Sequence, residues 1–209
     1  MLSKTLKTAA GKFLNPLGKG LGKLGIKPNH ITVMGLILTF YAAWLLYNQN
    51  IYEAFAIGLI ASLFDGADGL VARATKTTSI RGGYLDATLD RYADCFAFSA
   101  LILCNWVKPL PIVPLEFISG QVWAMAAMIG AFQTSYCRAA AERLGVSQEG
   151  IGLIERPERW FVLGMGVLVG EMMGNIETVI TIVVAILAVL GNLTALQRMY
   201  HFWNEAKDD

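Results

Sequence analysis

Four aspartates stand at helical spacing in two pairs, Asp65 with Asp68 and Asp86 with Asp90. The first pair opens the string Asp65-Gly66-Ala67-Asp68-Gly69-Leu70-Val71-Ala72-Arg73. After eight further residues, the second pair closes Gly82-Gly83-Tyr84-Leu85-Asp86-Ala87-Thr88-Leu89-Asp90. On a helix, positions 65, 68, 69, 72 and 73 share one face, and so do 82, 86 and 90. Joined as a helical hairpin, the two strings put Arg73 level with Gly82, Asp68 with Asp86 and Asp65 with Asp90. Four carboxylates then meet at one depth. Both strings border long apolar runs, and Asp65 lies about 12 Å along its helix from Arg73 at 1.5 Å per residue, inside a bilayer.

Carboxylates in such a setting do not all stay ionised without compensation, and each charge near the bilayer centre costs roughly 3 kcal/mol or more. One arginine does not offset four aspartates, so divalent cations are the economical answer. Oxygen-only ligands favour a hard ion, Mg²⁺ or Mn²⁺. Four shared carboxylates suit two ions about 4 Å apart, the spacing that clamps a transferring phosphoryl group. Gly66, Gly69, Gly82 and Gly83, with Ala67 and Ala72, keep that face open for close helix approach and for a bulky diphosphate. A plainer reading makes the aspartates helix caps or partners of Arg73, Lys76 and Arg81. That accounts for one or two of them, not for four at matched depth. A cation transporter also places acids in the membrane, but it spreads them over several spans, whereas here they keep to two neighbouring segments near one face.

The elements that carry these residues follow from hydropathy. Of 209 residues, 55% are hydrophobic, and they gather in runs at His30–Gln49, Phe55–Phe64, Phe96–Val107, Val122–Tyr136, Trp160–Met173 and Val179–Leu193. Runs approaching 20 apolar residues have the length of a bilayer-crossing helix. The reading is an all-α integral membrane protein with six transmembrane helices in one domain, residues 30–204. Span two runs from Tyr52 to Ala74, span three from Gly82 to Val107 and span four from Phe117 to Ala141, with a cytoplasmic loop over Glu142–Glu158 and a turn at Gly174-Asn175 between spans five and six. Residues 1–29 read as a basic juxtamembrane segment. Within it Leu6, Phe13, Leu14, Leu17, Leu21 and Leu24 recur at helical spacing among lysines, as in an amphipathic helix lying on the inner leaflet.

Net charge is only +1, but its distribution is lopsided: on a six-span layout all of the 17 basic residues except Lys108 fall on one side. That is the positive-inside pattern, and it puts both termini and the mouth of the aspartate site in the cytoplasm of a multi-pass cell-membrane protein. Cys95, Cys104 and Cys137 are scattered and lack metal-ligand spacing, as expected of reduced packing residues. No cleavable signal peptide is expected, since the basic start is not promptly followed by an apolar core and a small-residue cleavage site.

The stretch from Asp65 to Asp90 resembles the signature of the CDP-alcohol phosphotransferases, D-x2-D-G-x2-A-R-x8-G-x3-D-x3-D. All eight fixed positions are met, by Asp65, Asp68, Gly69, Ala72, Arg73, Gly82, Asp86 and Asp90. The six-helix layout and basic amphipathic start extend the resemblance over nearly the whole chain. It implies that Asp65, Asp68, Asp86 and Asp90 ligate two metal ions and that Asp90 also acts as general base on the acceptor hydroxyl. It implies that Gly69 and Arg73, joined by Ser79, contact the CDP diphosphate, with Asn29 and Thr32 near the nucleotide. The implied partners are a CDP-linked lipid donor, a phosphorylated alcohol acceptor, membrane lipid and a second copy in a homodimer. No nucleic-acid partner is expected.

Acceptor identity turns on the loop after span four. Ser135-Tyr136-Cys137-Arg138-Ala139-Ala140-Ala141-Glu142 and Glu155-Arg156-Pro157-Glu158-Arg159 bring Arg138, Arg156 and Arg159 to the site mouth, where guanidinium groups suit a phosphate on the acceptor. Ordinary positive-inside arginines paired with Glu142, Glu155 or Glu158 are the alternative. The strings resemble those of phosphatidylinositol-phosphate and archaetidylinositol-phosphate synthases, which implies inositol 1-phosphate. This chain has Ala140 where that branch would carry a second arginine. Glycerol 3-phosphate as acceptor and CDP-inositol as donor remain open beside it.

Overall fold

The computed structural model describes residues 27–206 apart from residue 113. Of the expected amphipathic segment Leu2–Lys27, all but Lys27 lies outside the described residues. Among the described residues there are helices and no strand: α1 Pro28–Tyr47, α2 Ile51–Ala74, α3 Ile80–Leu103, a 3-10 turn Leu115–Phe117, α4 Gly120–Arg143, α5 Arg156–Met172 and α6 Ile176–Glu205. Three of them, α1, α2 and α6, are long and apolar enough to cross a membrane by length and composition. The other three are diluted by what they carry: α3 holds Asp86, Asp90, Arg91 and Asp94, α4 is rich in alanine and polar residues, and α5 has 17 residues.

Helix ends depart from the hydropathy reading where local chemistry outranks it. α3 starts at Ile80 rather than Gly82, because the Ser79 hydroxyl accepts the Gly82 N–H at 3.0 Å and caps the first turn. It stops at Leu103, and Cys104–Val107 continue as irregular chain. α4 begins at Gly120 behind an Ser119 N-cap, since Phe117 is taken by the 3-10 turn. α5 begins at Arg156, inside the stretch read as loop: the Glu158 carboxylate accepts the Glu155 N–H at 2.8 Å, and Pro157 suits the first turn.

Two compact units emerge, one from α1 up to Trp44 with Tyr52–Ala93, the other from Leu45–Ile51 and the chain from Asp94 onward. In the first, α1 and α2 approach at Gly35, where an added Cβ would lie 3.4 Å from the Phe64 Cβ. In the second, α4 and α6 meet backbone to backbone. A Cβ on Gly130 would fall 2.8 Å from the Asn192 nitrogen, while Thr134 Oγ1 donates to the Gly130 and Gly191 carbonyls. Asn192 Nδ2 bonds the Ala126 and Ala188 carbonyls across the same seam. Gly166 and Gly170 of α5 face Val183 and Ile176, so these glycines serve a contact within the chain.

Candidate metal and phosphate site

The first unit gathers the acidic residues. Asp65 on α2 and Asp86 and Asp90 on α3 bring one carboxylate oxygen each to within 4.8 Å of one another. The turn from Thr75 to Ser79 sets this register. Thr77 N–H returns to the Ala72 carbonyl at 2.9 Å, Lys76 takes a left-handed φ of 56°, and the Ser79 cap starts α3 at once. Asp65 is the exposed member of the three, and Asp86 and Asp90 are half-buried. The Arg91 guanidinium reaches Asp90 Oδ2 at 3.7 Å.

Asp68 behaves differently from the other three. It is buried, Thr32 Oγ1 donates to its Oδ2 at 2.7 Å, and the Gly69 N–H donates to its Oδ1. Asp65 and Asp86 are among its electrostatic neighbours. Thr32 also donates to the Pro28 carbonyl at 3.2 Å, so its hydroxyl ties the start of α1 to this carboxylate. That makes Thr32 a positioning residue for Asp68.

The residues expected at a diphosphate fall into two groups. Arg73 folds back over Gly69, with its Nη1 3.3 Å from where a Cβ on Gly69 would stand. Asn29 and Ser79 converge on Gly82: a Cβ there would be 3.1 Å from Ser79 Oγ and 3.5 Å from Asn29 Oδ1. The glycines at 69 and 82 therefore leave room beside a guanidinium and beside two polar oxygens. Three clustered carboxylates with a fourth held beside them form an oxygen-only donor set that fits a hard divalent ion.

The arginines read from the loop belong to the second unit, and each is held by a carboxylate. Arg138 Nε meets Glu142 Oε1 at 2.9 Å, and its Nη1 lies 3.8 Å from Glu155 Oε1. Arg156 Nε meets Asp94 Oδ1 at 3.1 Å, and Arg159 Nη2 meets Asp94 Oδ2 at 3.3 Å. The sequence reading missed Asp94, although it continues the i, i+4 stripe 82, 86, 90. It also passed over Arg198, a buried arginine on α6 that bonds the Ile151 carbonyl at 2.9 Å, the Thr134 carbonyl at 2.7 Å and Glu155 at 3.4 Å. With Thr194 Oγ1 accepting the Leu153 and Ile154 N–H groups, Arg198 straps the α4–α5 loop onto α6.

A family model described as CDP-alcohol phosphatidyltransferase matches residues 26–205. The archaetidylinositol phosphate synthase of Pyrococcus horikoshii is 32% identical over 96% of this chain and 95% of its own. The phosphatidylinositol phosphate synthase of Mycobacteroides abscessus is 32% identical over 90% of this chain and 83% of its own. Solved structures of the Mycobacterium tuberculosis phosphatidylinositol phosphate synthase share the fold. One with CDP-DAG bound has a TM-score of 0.78 at 24% identity, covering 95% of this chain and 99% of that one. Another, in complex with manganese and citrate, has a TM-score of 0.77 at 25% identity over 93% of each chain.

Proposed function

The chain belongs to the CDP-alcohol phosphatidyltransferase family, and from that premise we propose that it transfers the phosphatidyl or archaetidyl group of a CDP-lipid to inositol 1-phosphate, with release of CMP. The observation that carries the reaction class is the cluster of Asp65, Asp86 and Asp90 oxygens within 4.8 Å, beside the buried Asp68. The relatives named as inositol phosphate synthases, which this chain matches nearly end to end, favour the acceptor.

Asp65, Asp68, Asp86 and Asp90 would hold divalent ions, Mg²⁺ or Mn²⁺. Bound there, such ions neutralise charge on the transferring phosphoryl group and on the departing CMP. The remaining work belongs to side chains. Asp90 takes the proton from the acceptor hydroxyl, a group too weakly acidic to attack without a base in hydrogen-bond reach. Arg73 supplies a fixed positive charge to the diphosphate, and Gly69, lacking a side chain, lets that diphosphate approach the backbone. Asn29 and Ser79 meet the nucleotide end beside Gly82, and Thr32 keeps Asp68 oriented. Arg138, Arg156 and Arg159 form the cationic set toward the acceptor's phosphate. Arg156, with 17% of its side chain exposed, is better suited to direct contact than Arg159, with 2%.

Six transmembrane helices with both termini in the cytoplasm, and a homodimeric assembly, complete the proposal. The charge asymmetry supports the orientation, because only Lys108 lies on the opposite side.

The test is a membrane assay with CDP-lipid and Mn²⁺ in which inositol 1-phosphate, glycerol 3-phosphate, serine and free inositol are offered in turn. CMP release with inositol 1-phosphate alone is expected, and equal or better turnover with glycerol 3-phosphate would sink the acceptor assignment. Asp90→Asn should abolish CMP release in a protein that still inserts and folds; near-normal turnover would remove Asp90 as the base.

A further inference from the structure

Asp94 has no part in the metal cluster, yet it is fully buried and takes two guanidinium groups, Arg156 Nε at 3.1 Å and Arg159 Nη2 at 3.3 Å. A buried ion pair is a poor device for stability alone, because apolar side chains of similar volume hold two helices at least as well without the desolvation cost. An ionisable residue within a membrane helix calls for a functional account.

The location of the two arginines sharpens the question. Glu155 caps α5, so Arg156 and Arg159 stand in its first turn or directly after it. Two cations there oppose the helix dipole, whose positive end already attracts anions. Asp94, a buried carboxylate from another helix, engages both arginines with separate oxygens. Asp94 thus bridges the two side chains, one oxygen to each, and anchors the Arg156 guanidinium at Nε through a charge-assisted hydrogen bond. Arg156 remains partly accessible at 17%, whereas Arg159 is buried at 2% and pairs with the other carboxylate oxygen.

We infer that Asp94 is a positioning residue for acceptor binding. It holds Arg156 in one orientation, with Arg159 as its counter-brace, so that a phosphomonoester acceptor meets a preorganised guanidinium at the start of α5. The inference rests on the proposed reading that Arg156 contacts the acceptor's phosphate. Ordering a long arginine side chain before binding removes an entropic cost that every acceptor would otherwise meet. The effect should therefore fall on the acceptor and not on the CDP-lipid.

The experiment uses the full-length enzyme in lipid nanodiscs and measures KM for inositol 1-phosphate and for CDP-lipid separately. Asp94→Asn should raise the acceptor KM about tenfold, the scale seen when the partner that orients a binding group is lost, with donor KM unchanged. Asp94→Glu, which keeps the charge and displaces it by one methylene, should rescue part of that loss. Arg156→Ala should also raise acceptor KM, and the double variant should be no worse than Arg156→Ala alone. If Asp94→Asn does not insert, Asp94→Glu carries the test through the same split between the two KM values. Equal changes in both, or a change in thermal stability alone, would reduce Asp94 to a helix staple and overturn the inference. A raised acceptor KM in Arg156→Ala without one in the Asp94 variants would overturn it while leaving the acceptor reading intact. An unchanged acceptor KM in Arg156→Ala would remove that reading and the inference together.

Discussion

At the scale of single residues, the four aspartates are not equivalent. Asp65, Asp86 and Asp90 face one another, while Asp68 is buried and held by Thr32 at 2.7 Å. Replacing Thr32 by valine keeps the shape and removes the donor, which leaves a buried carboxylate short of one hydrogen bond, a cost of about 1–3 kcal/mol. Thr32→Val should therefore raise the Mn²⁺ concentration needed for half-maximal activity about tenfold, as loss of an orienting partner does at metal sites. An unchanged metal titration would detach Thr32 from the site. Gly69→Ala probes the other edge: its Cβ would stand 3.3 Å from Arg73 Nη1, close enough to displace the tip of a flexible side chain but not the helix. Its expected signature is a raised KM for CDP-lipid of about tenfold, the weight of one charge-assisted contact, with an unaltered melting temperature. Fixed spacing made the aspartate cluster legible in the sequence, since residues three or four apart on two adjoining helices have few ways to meet. Asp94 and Arg198 were harder to find. Their partners lie 62 and 65 residues away for Asp94, and 64 residues away for the Thr134 carbonyl bound by Arg198, and no local pattern announces such pairs.

At the scale of helices, existence was legible and termini were not. Apolar runs locate the six long helices among the described residues, because burial or lipid exposure demands them, but the first turns obey capping groups instead. Ser79 moved a boundary by two residues and the Glu155–Glu158 pair moved one by three, and the second drew Arg156 from the loop into α5. Helix contacts were visible only as a surplus of glycine. Which glycine meets which backbone depends on the packed arrangement: Gly130 faces Gly191-Asn192, and Gly166 faces Val183. Gly130→Ala is the sharp test of the α4–α6 seam. A methyl group would lie 2.8 Å from the Asn192 nitrogen and 2.9 Å from the Gly191 carbonyl carbon, both backbone atoms that cannot rotate away. Overpacking of this kind costs about 1–3 kcal/mol, so the variant should melt several degrees lower in detergent. A melting temperature equal to that of the parent protein would mean that the two helices do not approach so closely.

At the scale of the whole molecule, sequence carries a signal that a set of helices without a bilayer does not: the side of the membrane on which each loop lies. Three helices are apolar enough to be read as spans by composition, and charged or small residues that serve the site and the seams dilute the other three. Charge asymmetry is the argument for the proposed six-span layout, because arginine and lysine resist translocation whatever the hydropathy of the helices between them. The proposed six-span orientation puts the loop containing Lys108 and Pro109 outside and the turn containing Thr77 inside. Both Pro109 and Thr77 are exposed, so each can be replaced by cysteine in a background where Cys95, Cys104 and Cys137 are alanine. A membrane-impermeant maleimide applied to intact cells should label the Pro109→Cys variant directly and the Thr77→Cys variant only after permeabilisation. Labelling of both from outside, or the reverse order, would mean that α2 and α3 do not form a hairpin opening to the cytoplasm. The aspartates would then lie on the wrong face to draw a phosphorylated, water-soluble acceptor from the cell interior.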